Sequence, residues 1–547
     1  MRLFRTLALT GLLAVAGTAC ADLEVTNLND PDRARAISTP SDVEALISGS
    51  FSTWWGVVHY SYPSSALSVG ADAHSSSWGN WGMRDFGEEP RKAFNNQPTY
   101  SYNNVAETAW QDLYGALAAV RDGVLAIDGG IEIGEAGADT PRAMAFAKLV
   151  QGLSLAYIGL LYDKGFVVDE STDLAAIEFV PYTDVFAAGM QKLAEAESLA
   201  GSNSFTIPEL WVGDGGDWDS GYMQRFIRSY RARLVSQVGR TAAERDAANW
   251  SAIMADAQNG LGASESYFGD YDGSNWAWMR QKLHTAGISG WTRIDYRTVG
   301  PADVSGNYAA WLSSSPDNKL PFNIDTDDSR VTGGAFDADG GLINYIGSSP
   351  FPADRGIYHY SHYISGHWTH LSTAGGFVGI YPDFVPFETD FLMAEAMFRL
   401  GDKQGALDIV NASRAGGGLA PIADVNGSAP GGARCIPRND GSTCANLWEA
   451  LKYEKRLVLF HYGLATEYFD DRGWGDLVSG TPMHLPVPGK ELELLLEEIY
   501  SFGGAAGGGA PSIIYDLSPE ALKIKRVAFE RYREAVRADE SLSPIVH

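Results

Sequence analysis

Apolar residues recur at helical spacing along much of this chain. Trp110, Leu113, Tyr114, Leu117, Val120 and Val124 fall on one face of a helix. Ala143 to Tyr162 is apolar on nearly every face and predicts a buried helix, with Pro141 suited to its first turn. Lys148 and Gln151 inside that run argue against a membrane span. Phe186, Met190 and Leu193 mark a third helix. Phe226, Ile227, Tyr230, Leu234 and Val238 mark a fourth, and Trp250, Ile253, Met254 and Ala257 a fifth. Short polar links join these helices in series.

From about 262 to 380 the pattern changes. Gly, Asp, Ser and aromatic residues dominate and helical periodicity disappears, which predicts loops and short strands. Helices return at Glu388–Leu400, closed by Gly401, then at Lys403–Ala415 before the glycines at 416–418, and from Leu447 to about Tyr462. The stretch "SFGGAAGGGAP" predicts an exposed flexible loop, and Pro519–Ala538 a last helix.

The N-terminus changes the picture from fold to address. Arg2 and Arg5 precede an apolar run, Leu7 to Ala16, and small residues lead to Cys20. This is the pattern of a secretory signal peptide, too short to span a bilayer. Gly-Thr-Ala-Cys resembles a bacterial lipobox, with Gly17 where Leu is usual, so Cys20 is the expected lipid attachment site. A plain secreted protein is the alternative. In an exported chain, Cys435 and Cys444 flank a short Gly/Pro/Asn loop and are expected to form a disulfide.

Composition restricts the ligand. With 547 residues and 45% hydrophobic positions the chain can bury a large core. Its net charge of -27 opposes nucleic acid and anionic headgroups, but does not penalise a neutral ligand. The 15 Trp and 25 Tyr supply apolar faces with polar edges, suited to core packing or to stacking on sugar rings.

Candidate chemistry is sparse. Gly489-Lys490 lacks the Ser or Thr of a phosphate-binding loop, and neither a Gly-x-Ser-x-Gly elbow nor a His-Glu-x-x-His motif occurs. The pairs Asp214/Asp217, Asp325/Asp327/Asp328 and Asp337/Asp339 leave open a glycoside hydrolase, which needs two carboxylates facing a sugar. Solvated turns or weak calcium sites are the plainer reading. "YHYSHYISGHWTH" places His359, His362, His367 and His370 at spacings near a zinc pattern. A structural wall, a ligand edge and a metal site remain three readings of it.

Three ordered stretches resemble the SusD/RagB family of outer-membrane nutrient-binding lipoproteins. "FETDFLMAEAMFRLGDKQGALDIVNASRAGGG" is similar to its Ala-Glu-Ala helix, Leu-Gly-Asp turn and following Asn/Arg helix, here Ala394-Glu395-Ala396, Leu400-Gly401-Asp402, Asn411 and Arg414. "YEKRLVLFHYGLATEYFDDRGWGDL" resembles its Glu-Arg and Arg-Trp signature, with Glu454, Arg456, Gly463, Asp470, Arg472, Trp474 and Gly475. It departs where Gly463-Leu-Ala-Thr-Glu replaces the usual Gly-x-Arg. "HLPVPGKEL" resembles the Leu-Pro-Ile-Pro-x-x-Glu-Leu segment at Leu485–Leu492. Buried charges in these motifs, Glu395, Arg414 and Arg472, call for ion-pair and cap networks.

The resemblance implies a mostly α fold, with tetratricopeptide-like helix pairs packed against a loop-rich, mixed ligand-binding half. It implies one domain over 41–547, after a signal peptide (1–19) and a lipidated tether (20–40). The helical scaffold would cover roughly 105–261 and 386–462, and the binding region roughly 60–104 and 262–385. It implies a non-catalytic, lipid-anchored protein of the outer membrane facing the cell exterior, which delivers oligosaccharide to a SusC-like TonB-dependent transporter barrel. No cofactor or metal is expected. A non-glycan nutrient such as peptide is an alternative. For binding, "GADAHSSSWGNWGMRDF" offers Asp72, Trp78, Asn80, Trp81 and Arg84, and the middle region offers Trp276, Trp278, Trp291 and Tyr296. Core packing is the alternative for each indole.

Overall fold

A computed structural model describes residues 37, 39–60, 62–279, 291–331, 342–348, 361–368, 371, 376–515 and 527. Cys20, most of the tether and all of the expected helix at 519–538 except Val527 lie outside them.

The fold is mostly α. Its helices are α1 (Pro40–His59), α2 (Ser64–Gly70), α3 (Asn104–Asp128), α4 (Thr140–Leu161), α5 (Tyr182–Ser202), α6 (Ser220–Gln237), α7 (Trp250–Gln258), α8 (Pro386–Leu400), α9 (Lys403–Gly416), α10 (Leu447–Val458) and α11 (Thr466–Trp474), beside shorter turns. Neighbours in sequence pack as neighbours in space: α4 on α3 and α5, α6 on α5 and α7, α8 on α7 and α9, and α10 on α9. The predicted face of α3 is the buried one, with Leu113, Leu117 and Val120 fully enclosed.

Helix α4 is apolar and long enough to cross a membrane by composition, but its most apolar window is 94% buried inside the fold. Its one lysine is accommodated by charge: Lys148 Nζ donates to Glu170 at 2.5 Å and lies 3.2 Å from Glu195. Gln151 donates to the other oxygen of Glu170 at 3.0 Å. Burying the cation without these partners would be costly.

Periodicity did not predict α1, although it carries Phe51, Trp54 and Trp55 into the centre of the core. Its start signal is explicit. Thr39 Oγ1 accepts from the Asp42 N–H at 3.2 Å, and Pro40 occupies the first turn. Helix α10 stops at Val458, four residues before the expected Tyr462. The chain turns there through left-handed His461 and Gly463, which a continuing helix does not allow.

The remaining structure is a set of short antiparallel ladders. Among the strands are β1 (His74–Ser75), β2 (Tyr267–Tyr271), β3 (Arg293–Ile294), β4 (Ile343–Tyr345), β5 (Tyr363–Ser365), β6 (Gly379–Phe384), β7 (Ile499–Ser501) and β8 (Ser512–Tyr515). They pair β1–β3, β2–β6, β4–β5 and β7–β8. The glycine-rich stretch expected as an exposed loop connects β7 to β8, and its first part is buried. A Cβ on Gly508 would lie 2.1 Å from the Thr481 carbonyl, so only glycine fits that approach.

The motif helices meet in one buried ion network. Arg245 donates to both oxygens of Glu395, at 2.8 and 2.7 Å, and to Asp470 at 2.9 Å. Asp470 also meets Lys455 at 2.8 Å, and Trp474 Nε1 donates to Glu395 at 3.2 Å. Arg414 is held differently, donating to the carbonyls of Ala420 and Ile436. Arg472 caps two helix ends, reaching the carbonyls of Leu160 and Gln237, and also donates to the Met483 carbonyl. Cys435 and Cys444 form a disulfide with Cα atoms 5.6 Å apart.

Candidate functional site

The ladder β1–β3 sets His74 opposite Ile294 and Ser75 opposite Arg293. This two-residue pairing brings the segment after Ser75 against the segment before Arg293. Ser76 secures the junction: its hydroxyl donates to the Trp291 carbonyl at 3.0 Å and accepts from the Trp78 N–H at 3.1 Å.

Three predicted indoles therefore converge. Trp78 and Trp291 lie parallel, 2° apart in plane and 5.5 Å between centroids. Trp81 stacks on Trp291 at 5.0 Å and 29°. Val69 and Met83 pack beneath them, with Trp81 buried and Trp78 and Trp291 half-buried. Trp81 takes a left-handed φ of 56° and Gly82 follows at 71°. A Cβ on Gly82 would come within 2.9 Å of Val105, so the tight turn that aims Trp81 inward needs glycine there.

A polar recess adjoins the indoles, lined by Asp72, His74, Ser75, Ser76, Arg84 and Asp295. Arg84 is the exposed member and lies 3.4 Å from Asp85. Asn80 is half-buried in the same turn. Asp72 is buried, with a left-handed φ of 54°. Both its oxygens accept from Arg91, at 2.7 and 2.8 Å, and Arg297 approaches to 3.7 Å. Asp72 thus anchors the loop through two guanidiniums. Neither Ser76 nor Asp295 stood out in the sequence. The run Ser75–Ser77 before the first indole was the available signal for the serines.

The other three predicted residues lie apart from this group. Trp276 borders the helical core, its Nε1 donating to the Leu210 carbonyl at 2.9 Å and its ring 6.2 Å from those of Phe51 and Trp55. Trp278 is exposed. Tyr296 is fully buried in a second core cluster, where it stacks on Phe322 at 4.1 Å and donates to its carbonyl at 2.5 Å. Its hydroxyl also accepts from the Phe322 N–H.

The histidine-rich stretch is described only over 361–368, leaving His359 and His370 outside. The described part is strand β5 and a turn, with Tyr363, Ile364 and Trp368 buried. His362 is half-buried near Tyr345, and burial and Arg293 lower its pKa. His367 Nε2 is 3.2 Å from the Leu457 carbonyl.

The aspartate groups mostly have structural partners. Arg434 grips Asp325 and Asp327 together, at 2.7 to 3.0 Å. Asp328 pairs with Arg330 and accepts from Tyr453. Asp217 accepts from the Glu209 N–H. Burial pushes Asp214 up to about 7, while its oxygens accept from Trp218 and from the Phe268 N–H. Asp337 and Asp339 lie outside the described residues.

No family model matches this chain, and no curated protein matches it. Solved structures do. A SusD superfamily protein from Bacteroides vulgatus ATCC 8482 is 13% identical, with 81% of this chain and 89% of that chain covered and a TM-score of 0.47. A SusD superfamily protein from Bacteroides thetaiotaomicron VPI-5482 is 12% identical over 79% and 88%, with a TM-score of 0.47. A laminarin binding SusD-like protein is 13% identical over 83% and 97%, with a TM-score of 0.46.

Proposed function

We propose that this chain is a surface nutrient-binding lipoprotein of the SusD/RagB type, which captures a neutral oligosaccharide without cleaving it. The observation that carries this reading is the half-buried, parallel pair Trp78–Trp291 beside a polar recess. Pyranose C–H faces stack on indole, and sugar hydroxyls need donors and acceptors such as Asn80, Arg84 and Ser76. The acidic surface turns away polyanions and leaves neutral sugars unaffected.

In this reading residues 41–547 act as one unit, with the helices as scaffold and the loops at 60–104 and 262–385 as binding region. Cys20 anchors it to the outer membrane, facing outward, and a TonB-dependent barrel receives the ligand. Cys20→Ser should move the protein from membrane to soluble fractions.

Calorimetry against a panel of neutral oligosaccharides, laminarin fragments included, tests the site. Trp78→Ala should weaken the best ligand by roughly tenfold, since such stacking is worth on the order of 1 kcal/mol beyond area burial and about 1.4 kcal/mol is one decade. Unchanged affinity in both Trp78→Ala and Trp291→Ala would place the site elsewhere. Sustained release of reducing ends by purified protein would make it a hydrolase.

A further inference from the structure

Below the polar recess lies a side-chain cluster from three separate segments. His74 belongs to β1, His461 to the turn after α10, and Glu467 to the first turn of α11. All three are buried, and one donor atom from each lies within 4.8 Å of the others. His461 Nδ1 is 3.5 Å from Glu467 Oε1, and the two imidazole rings meet edge to face at 4.8 Å. Helix α11 packs on α2, which brings Ser68 into the same cluster.

Ser68 fixes the chemistry of two members. Its hydroxyl donates to Glu467 Oε1 at 2.6 Å, and its oxygen lies 2.7 Å from His74 Nδ1. A hydroxyl has one proton. With that proton on the carboxylate, His74 must donate from Nδ1, so its Nε2 carries the lone pair. This is how a hydrogen bond on one imidazole nitrogen prepares the other as a ligand. Glu467 adds an independent observation: it is 6% exposed, and its Oε2 has no hydrogen-bond partner among the described residues. A buried acceptor left so is costly. His461 is held in the cluster at a left-handed φ of 65°, a conformation that non-glycine residues adopt at a cost.

The geometry points to a divalent-cation site of the zinc class, with His74 Nε2, His461 and Glu467 as ligands. Two imidazoles and one carboxylate suit zinc and its transition-metal neighbours, whereas calcium and magnesium prefer all-oxygen sets. Donors around tetrahedral zinc stand roughly 3.4 Å apart, given bonds of about 2.1 Å, and His461 Nδ1 already stands 3.5 Å from Oε1 of the same carboxylate. An ion there joins β1, which carries the recess wall, to α11. Neither His362 nor His367 belongs to it.

The test uses tag-free full chain, equilibrated with zinc and then passed through gel filtration. One zinc per chain should remain, and zinc should raise the melting temperature of chelator-treated protein by several degrees. Glu467→Gln and His461→Ala should each lose both effects, while His362→Ala keeps them. Should the variants fail to fold, cobalt added to the chelated wild type supplies the second measurement, a visible absorption of tetrahedral intensity at one equivalent. Wild type that retains no zinc and shows no melting shift overturns the site. So does zinc retained equally by Glu467→Gln and His461→Ala, or cobalt without that absorption; the three residues are then a hydrogen-bonded cluster of the core.

Discussion

Arg240 and Arg472, two buried guanidiniums, donate to the same carbonyl, that of Leu160 at the end of α4, at 2.6 and 3.2 Å. Arg240 also reaches the carbonyls of Gly159 and Tyr162. Cations of like sign tolerate this proximity because a helix C-terminus presents unpaired carbonyls and a partial negative charge. Burial and Arg240 hold the Arg472 pKa well below its ordinary value.

Arg472→Met should therefore expose a balance between two effects. It removes a like-charge neighbour but leaves the Met483 and Gln237 carbonyls unpaired. Hydrogen bonds to charged groups are worth roughly 1.5–3 kcal/mol each, so a net loss of about 3 kcal/mol is expected in urea unfolding. A variant as stable as wild type would show that relief of the repulsion offsets the lost hydrogen bonds.

The same cations act on His484, whose pKa burial, Arg240 and Arg472 lower to about 2. The unfolded chain binds a proton at this residue below about 6.5 and the folded chain does not. The residue's contribution is complete above pH 6.5 and is lost as pH falls toward 2. At pH 5 the loss should be about 2 kcal/mol relative to pH 7.5. His484→Gln should shrink the pH 7.5 to pH 5 stability difference by that amount, measured by denaturation at both values.

Removal of one partner from the Arg245–Glu395 pair should cost about 3–5 kcal/mol, because it strands a buried charge. Glu395→Met alone is predicted to be less stable than the double variant Arg245→Met/Glu395→Met. The opposite order in chemical denaturation would mean that Asp470 neutralises Arg245 without help.

Trp81 and Trp78 should separate in a melting experiment. Trp81 is 7% exposed, over Val69 and Met83, and Trp81→Ala should cost about 3 kcal/mol or more. Trp78 is half-buried, and its replacement by Ala should cost distinctly less. Equal losses would make the pair core rather than shelf.

Helices were legible where the periodic face was long. Trp110 to Val124 predicted α3 because six apolar residues on one stripe leave few other ways to bury them. Helix α1 was missed because its signal was the cap Thr39-Pro40 beside a polar tether rather than a stripe. The early end of α10 depends on left-handed His461, a conformation that sequence marks only when glycine supplies it. The indoles were visible as candidates, but their meeting was not. It rests on a ladder of two residue pairs, with neither strand long enough to show alternation. Arg472 was recognisable as a buried charge; that its partners are carbonyls depends on where α4 ends in space.

The junction between Ser76 and Trp291 spans 215 residues of chain. Such a contact is expected to close late, after the helices between have packed, because its loop entropy is repaid only by the finished domain. The parallel indoles it creates are near enough for their excited states to mix. Their coupled circular dichroism in the near ultraviolet would thus act as a built-in reporter of complete closure, silent in any partly folded species whose helices have already formed.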